Sequence, residues 1–97
     1  MPTYISLINW TDQGVRNSKQ TVERGKAGTE LAQRMGGGAP GTYWTVGPCD
    51  IVSIAEFPDD ESGTAFLLAL GAQGNIRTTT LRAYTAEEMT GIIQKLG

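Results

Sequence analysis

Five residues carry most of the chemistry that this chain can offer: an indole, a thiol, a carboxylate, an amide and a guanidinium. They are Trp10, Cys49, Asp50, Asn75 and Arg77. Such groups could bind a polar or carboxylate-bearing molecule with an aromatic body, because Arg and Asn donate hydrogen bonds to oxygen and an indole packs against a ring. The competing interpretation is structural. In that case Asp50 would bond turn amides, Asn75 would accommodate a turn and Arg77 would pair with an acid.

Histidine is absent from the 97 residues, and Cys49 is the only cysteine. This composition excludes histidine-based acid–base catalysis, Ser–His and Cys–His nucleophile pairs, and metal sites built from His or Cys clusters. We therefore expect no cofactor and no metal. Cys49 could act as a nucleophile near Arg77, but the neighbouring Asp50 disfavours a thiolate. A small, half-buried apolar side chain is the preferred interpretation of Cys49.

The length, charge and composition of the chain limit the class of protein and the kinds of partner that can be expected. A length of 97 residues, a net charge of −2 and 39% hydrophobic residues indicate one globular domain over residues 1–97. Nucleic acid is not an expected partner, because it requires clustered basic residues. No apolar run is long enough to cross a membrane, and the N-terminus lacks signal-peptide features. We expect a cytoplasmic protein, and its 13 glycines and marginal core favour a homo-oligomer.

The elements that must position the five residues follow from apolar periodicity, caps and breakers. Strands are predicted at 3–9, 42–46, 51–57 and 76–84, and helices at 21–35, from Asp59 or Asp60 to about Ala72, and from Thr85 to Leu96. The order β-α-β-β-α-β plus a C-terminal helix indicates an α+β, ferredoxin-like split βαβ fold with a four-stranded antiparallel sheet. In that topology the end of the first strand meets the starts of the third and fourth strands. The five residues are therefore expected at one edge.

Alternation along the strands predicts which sheet face packs against the helices. We assign the core face to Ile5, Leu7, Val52, Ile54, Leu81 and Ala83. The opposite face would then carry Tyr4, Ser6, Ile8, Trp10, Ile51, Ser53, Ala55, Thr78, Thr80 and Arg82. A face of aromatic and hydroxyl side chains is expected to be covered by a second copy, a ligand or both. The alternative is a register shifted by one residue. Two copies stacked sheet to sheet would form a dimeric α/β barrel with a cavity between the sheets or under one of them.

Three segments resemble the GYD domain family, a group of small bacterial and archaeal proteins of unassigned activity. They are 4–14 (YISLINWTDQG), 41–50 (GTYWTVGPCD) and 68–81 (LALGAQGNIRTTTL), and the similarity extends to about Glu88. The Gly-x-Tyr-Asp motif of the family falls on Gly47, Cys49 and Asp50, so that a cysteine stands where the family has tyrosine. The resemblance implies a dimeric α/β-barrel relationship and no particular reaction.

These observations lead to one functional hypothesis and two alternatives. The leading hypothesis is a small homo-oligomeric α/β-barrel protein that binds a small polar or aromatic molecule in a cavity between two sheets, with itself and that ligand as its partners. The first alternative is a cofactor-independent oxygenase or isomerase, in which Asp50 or a tyrosine moves a proton. The second is a purely structural assembly subunit.

Overall fold

The computed structural model describes all 97 residues and contains one four-stranded antiparallel sheet with helices on one side. The elements are β1 (Thr3–Trp10), α1 (Asp12–Arg16), α2 (Thr21–Arg34), β2 (Gly38–Trp44), β3 (Ile51–Glu56), α3 (Asp60–Ala72), β4 (Ile76–Ala83) and α4 (Ala86–Gln94). A short 3-10 helix, Ser18–Gln20, joins α1 to α2. The strand order β2-β3-β1-β4 is that of the ferredoxin-like split βαβ arrangement, so the predicted fold class is confirmed.

Helix boundaries follow local signals in the sequence. The hydroxyl of Thr11 caps α1, and the carboxylate of Asp59 caps α3 by accepting a hydrogen bond from the backbone N–H of Ser62 at 2.7 Å. Thr85 and Glu88 form the capping box that opens α4. Just beyond the end of α2, Gly36 has a φ of +86°, a conformation that favours glycine. The predicted starts and ends of the main helices are therefore confirmed to within about two residues.

The second strand differs from its predicted range of 42–46. It begins at Gly38 and ends at Trp44, with an irregular register between Gly38 and Gly41. Pro40 is tolerated there because β2 lies at the edge of the sheet. Val46, predicted as the last strand residue, is fully exposed in the β2–β3 loop. The glycine-rich segment thus ends α2 and also begins β2.

The predicted core face is wrong by one residue along the three strands for which it was assigned, β1, β3 and β4. The side chains of Ser6, Ile8, Ile51 and Ala55 are buried, whereas Leu81 is 48% exposed. The residues buried between the sheet and helices α2 and α3 include Ala32, Ala55, Phe57 and Phe66. Both faces of the sheet carry apolar residues, so alternation alone cannot choose between them.

The other sheet face, which we call the open face, has no covering layer within the chain. Its side chains alternate with the buried ones and are Ile5, Leu7, Tyr43, Val52, Ile54, Arg77, Thr79, Leu81 and Ala83, with Asn9 and Glu56 near its ends. Only nine of the 97 residues are buried, and the chain exposes 6387 Å². A globular monomer of this mass exposes about 5,400 Å². The chain therefore leaves about 1,000 Å² more surface uncovered than its size requires.

Helix α4 contributes to this extra surface because it makes almost no contact with the rest of the chain. The chain measures 52 × 30 × 18 Å, and its radius of gyration of 14.5 Å exceeds the value of about 12–13 Å for a compact domain of this length. Met89, Ile93 and Leu96 are exposed, and they lie at helical spacing on one side of the C-terminal segment. The helices of the chain are all too short or too polar to span a membrane.

Candidate functional site

The sheet edge expected from the topology does form. Trp10 at the end of β1 lies opposite Ile76 at the start of β4, and Ile8 lies opposite Ile51 at the start of β3. Trp10, Asp50 and Asn75 therefore lie on neighbouring segments. The antiparallel pairing of β1 with both of its neighbours produces this arrangement.

Asp50 holds the β2–β3 loop against β1. Its carboxylate accepts a hydrogen bond from the backbone N–H of Trp10 at 2.9 Å. Its own backbone N–H donates to the carbonyl of Ile8 at 2.9 Å, and its carbonyl accepts from the backbone N–H of Thr45 at 2.8 Å. These contacts give Asp50 a structural role at this edge.

Asn75 connects α1 to the start of β4. Its carbonyl accepts from the backbone N–H of Thr11 at 3.1 Å, and its side-chain Oδ1 accepts from Nε2 of Gln13 at 2.9 Å. Gly14 packs so closely that a Cβ there would lie 1.9 Å from the Asn75 carbonyl oxygen. The side-chain NH₂ of Asn75 remains as a donor at this edge.

Cys49 and Arg77 occupy different environments. Cys49 is half-buried in the β2–β3 loop, where its carbonyl accepts a hydrogen bond from the Thr45 hydroxyl at 2.6 Å. Its sulfur lies 3.7 Å from the same hydroxyl oxygen. Arg77 is exposed opposite Asn9 on the open face. The structure thus brings Trp10, Asp50 and Asn75 together, whereas Arg77 lies on the other side of the sheet from the cavity described next.

A cavity lies between the helix-facing side of the sheet and helices α2 and α3. Trp10 and Asn75 line it at one end and Tyr4 lines it at the other. The volume within the cavity that the centre of a water-sized sphere can occupy is about 90 Å³. That space exceeds what a single water molecule needs, so the cavity has room for a small ligand. Because one chain forms the cavity, it does not depend on a second sheet.

Glycines in α2 leave the space open. Gly25 and Gly28 both line the cavity, although each costs α2 about 1 kcal/mol of helix stability relative to alanine. A Cβ at Gly28 would meet its nearest neighbour, Cδ2 of Leu70, only at 3.9 Å. A Cβ at Gly25 would lie 3.5 Å from the indole of Trp44, whose Nε1–H donates to the Thr21 hydroxyl at 3.0 Å. Trp44 therefore closes the cavity on the side of β2.

The cavity has an apolar body and a polar end. Its apolar walls include Ile8, Phe57, Phe66, Leu67 and Leu70, and its hydroxyl groups include those of Ser6, Thr29, Thr42, Ser53 and Thr78. Ser6 is buried, and its hydroxyl lies 2.9 Å from that of Thr80. The floor of the cavity thus combines hydroxyl groups with apolar surface.

Arg24 is the one charged residue that lines the cavity. Its guanidinium donates to the carbonyl oxygens of Asn17 at 2.6 Å and Gly14 at 3.4 Å, both of which are neutral. Nε1 of Trp10 is buried and has no hydrogen-bond partner. A buried donor left unpaired costs about 1–3 kcal/mol. Both groups are therefore available to an acceptor at this end of the cavity.

Tyr4 closes the opposite end. Its hydroxyl donates a hydrogen bond to the carboxylate of Asp60 at the start of α3. This hydrogen bond, together with burial and the negative charge of Asp60, raises the pKa of the Tyr4 phenol above its ordinary value of 10.0. The phenol is therefore held neutral and links β1 to α3.

The site predicted from the sequence did not include the residues that α2 contributes to the cavity. Arg24, Thr21 and the two α2 glycines line the cavity beside the predicted residues Trp10 and Asn75. The spacing of Gly25 and Gly28 was the available signal, since two glycines one helical turn apart leave an open stripe on a helix. No group of three or more His, Cys, Asp or Glu side chains is placed to hold a metal ion.

The sheet, its two covering helices and the cavity between them define a small α+β domain of the ferredoxin-like class. The chain belongs to the GYD domain family, whose family model matches residues 4–93. It is also 31% identical over 90 residues to a Thermus thermophilus protein described as "Glutamine synthetase and cystathionine beta-lyase binding protein", and the alignment covers 92% of this chain and 95% of that protein. No solved structure matches the chain. The family resemblance inferred from the sequence is confirmed.

Proposed function

We propose that this protein is a homo-oligomeric binding protein that holds a small molecule in each chain and contacts a partner protein. The observation that carries the proposal is the contrast between the two sheet faces. One face is covered by helices and contains a cavity, and the other is apolar and uncovered. The two faces suit two kinds of binding.

The open face supports assembly with a second copy. Antiparallel sheets with one solvated face normally carry polar residues there, whereas Ile5, Leu7, Val52 and Ile54 form the centre of this one. The extra exposed surface of about 1,000 Å² per chain is close to the roughly 800 Å² that each partner buries in a standard interface. A dimeric α/β barrel, with the open faces in contact, would cover this area.

Charge placement also favours a second copy. Arg77 lies at one end of the open face opposite Asn9, and Glu56 lies at the other end opposite Thr3. The two charges are on different neighbours of β1. A two-fold axis in the interface can therefore bring Arg77 of one copy to Glu56 of the other. The apolar side of α4 could then pack against the partner copy.

The cavity supports small-molecule binding. The single-chain cavity lies under the helices rather than between two sheets, so ligand binding and assembly can use separate surfaces. We retain Trp10 and Asn75 as ligand contacts and propose that Asp50 and Cys49 shape the adjoining loop. Arg77 is assigned to the open face.

The Thermus thermophilus relative supports a protein partner. Its description states that it binds glutamine synthetase and cystathionine β-lyase, and the similarity spans nearly the full length of both chains. We propose that this protein likewise binds a metabolic enzyme. The enzymatic alternative has weaker support, because the Asp50 carboxylate is already hydrogen bonded to the backbone of Trp10.

Assembly is tested by native mass spectrometry and light scattering of wild-type protein and two matched variants. Leu81→Glu places a charge on the open face, and Leu68→Glu places the same charge on an exposed position of α3. We expect an oligomeric wild type, an oligomeric Leu68→Glu variant and a folded, monomeric Leu81→Glu variant. A monomeric wild-type protein, or an unchanged Leu81→Glu oligomer, would contradict assembly through the open face.

The protein partner is tested separately by sedimentation of the purified protein with glutamine synthetase from the same source. Co-sedimentation at a defined stoichiometry is expected. Bovine serum albumin serves as the negative control. Independent sedimentation of the two proteins would contradict this partner and leave the test of assembly unaffected.

A further inference from the structure

The ligand of the cavity can be described more narrowly by its charge, its size and the position of its polar group. This step rests on the small-molecule function proposed above. It begins with the end of the cavity closed by α1, where three hydrogen-bond donors lie on contacting segments.

The donors are Arg24, Trp10 and Asn75. Arg24 reaches the carbonyl of Gly14 in α1, and Gly14 packs directly on the backbone of Asn75. Trp10 immediately precedes Thr11, whose backbone N–H also donates to the Asn75 carbonyl. These contacts place the three residues around one end of the cavity, which all three line.

The guanidinium of Arg24 gives this end of the cavity a positive charge, and no acidic side chain lines the cavity to neutralise it. Arg24 is bonded only to backbone carbonyls, and neither aspartate nor glutamate lines the cavity. Nε1 of Trp10 has no acceptor in the chain. A guanidinium, an indole N–H and a side-chain amide NH₂ together favour an anionic oxygen group over a cation or an apolar group.

The rest of the cavity limits the remainder of the ligand. Beyond the donor end the walls are aromatic and aliphatic, with Phe57, Phe66 and Leu70 as examples. The space open to the centre of a water-sized sphere is about 90 Å³, which favours a compact ligand. A nucleotide or a sugar phosphate is too polar for these apolar walls.

We propose that the cavity binds a small monocarboxylate with a compact apolar body, of the size of benzoate or isovalerate, and that Arg24, Trp10 and Asn75 bind its carboxylate. Gly25 and Gly28 provide the room for its apolar part. The hydroxyl groups of the floor can accommodate a further oxygen on the ligand.

The binding is measured by proton–nitrogen NMR of the full-length protein titrated with benzoate and isovalerate, with benzamide and benzylamine as neutral and cationic comparisons. The indole signals of Trp10 and Trp44 are assigned with Trp44→Phe. We expect a carboxylate to shift the Trp10 indole signal, and benzamide to bind at least about tenfold more weakly. Arg24→Gln is expected to weaken carboxylate binding by a similar factor and benzamide binding by clearly less, because the benzamide carbonyl carries no full negative charge.

A second pair of variants tests whether the ligand binds in this cavity, and neither substitution changes the charge of the protein. Gly28→Leu fills the cavity, whereas Gly71→Leu adds the same side chain on α3 where no atom lies within 4 Å of the new Cβ. We expect Gly28→Leu to abolish binding and Gly71→Leu to retain it. Wild-type binding by Gly28→Leu would overturn the assignment to this cavity.

The remaining outcomes test separately whether the ligand is a carboxylate and whether the cavity binds small molecules at all. Equal binding of benzamide and benzoate would overturn the carboxylate assignment while leaving small-molecule binding intact. Failure of all four compounds to bind at millimolar concentration would overturn the proposed ligand and also count against small-molecule binding. Neither result would bear on assembly through the open face.

Discussion

The carboxylate of Asp50 accepts a hydrogen bond from the backbone N–H of Trp10 at 2.9 Å and thereby joins the loop before β3 to the last residue of β1. The two residues are 40 positions apart in sequence. Trp10 also lines the cavity, so this contact fixes the backbone from which its indole extends. The backbone N–H of Trp10 therefore links the β2–β3 loop, through Asp50, to the cavity that the Trp10 side chain lines.

Replacement of Asp50 tests this coupling. Asp50→Ala removes the acceptor and should lower the free energy of unfolding by about 1.5–3 kcal/mol, as measured by urea denaturation. Asp50→Asn retains an acceptor oxygen and should cost less. Equal destabilisation by both variants would contradict the hydrogen-bond explanation. If the wild-type protein proves to turn over a substrate, loss of that activity in Asp50→Asn at unchanged stability would instead favour the oxygenase or isomerase alternative.

Gly14 is predicted to be intolerant of any side chain. A Cβ there would lie 1.9 Å from the carbonyl oxygen of Asn75, which is backbone and cannot rotate away. Gly14→Ala should therefore destabilise the protein by at least about 3 kcal/mol, at the upper end of overpacking effects. Gly71→Ala is the matched control, since its Cβ meets no atom within 4 Å and alanine favours α3. The two melting temperatures should move in opposite directions.

The raised pKa of Tyr4 predicts a stability change at alkaline pH. The folded state favours the neutral phenol, mainly because the hydroxyl donates a hydrogen bond to Asp60. This contribution is complete below the ordinary pKa of 10.0 and is lost as pH rises through the higher pKa of the folded state.

Phenolate absorbance of the folded protein, compared with that of Tyr4→Phe, isolates the titration of Tyr4. Asp60→Ala should lower the pKa of Tyr4, because both the acceptor and its negative charge are removed. An unchanged titration curve in Asp60→Ala would show that Asp60 does not control this phenol.

The capping box of α4 predicts fraying at acidic pH. The hydrogen bond from the backbone N–H of Thr85 lowers the pKa of Glu88 below its ordinary value of 4.5. The carboxylate therefore stabilises the helix above pH 4.5, and this contribution is lost as pH falls through the lower pKa of the folded state.

Because α4 makes almost no contact with the body of the chain, its amides should exchange with solvent independently of the sheet. Thr85→Ala should accelerate hydrogen exchange within α4 and leave exchange in β1 unchanged. The comparison is made on the Leu81→Glu variant as well, since assembly could protect α4. Equal effects on α4 and β1 would indicate that the helix is part of the cooperative fold.

Much of the architecture was predictable because its signals are local. Thr11, Asp59 and Thr85 cap helices through hydrogen bonds within three residues of themselves. The element order then restricts the topology to the split βαβ arrangement. The meeting of Trp10, Asp50 and Asn75 at one edge follows from that topology alone.

The sequence by itself thus determined the element order, the helix ends and the edge at which three candidate residues meet. Only the tertiary structure decided which sheet face is covered, that Arg24 rather than Arg77 lies at the cavity, and that α4 extends from the body. The physical reason is that both sheet faces carry apolar side chains, so that strand periodicity is satisfied by either orientation. The choice depends on packing between the sheet and helices α2 and α3, which brings together residues far apart in the chain.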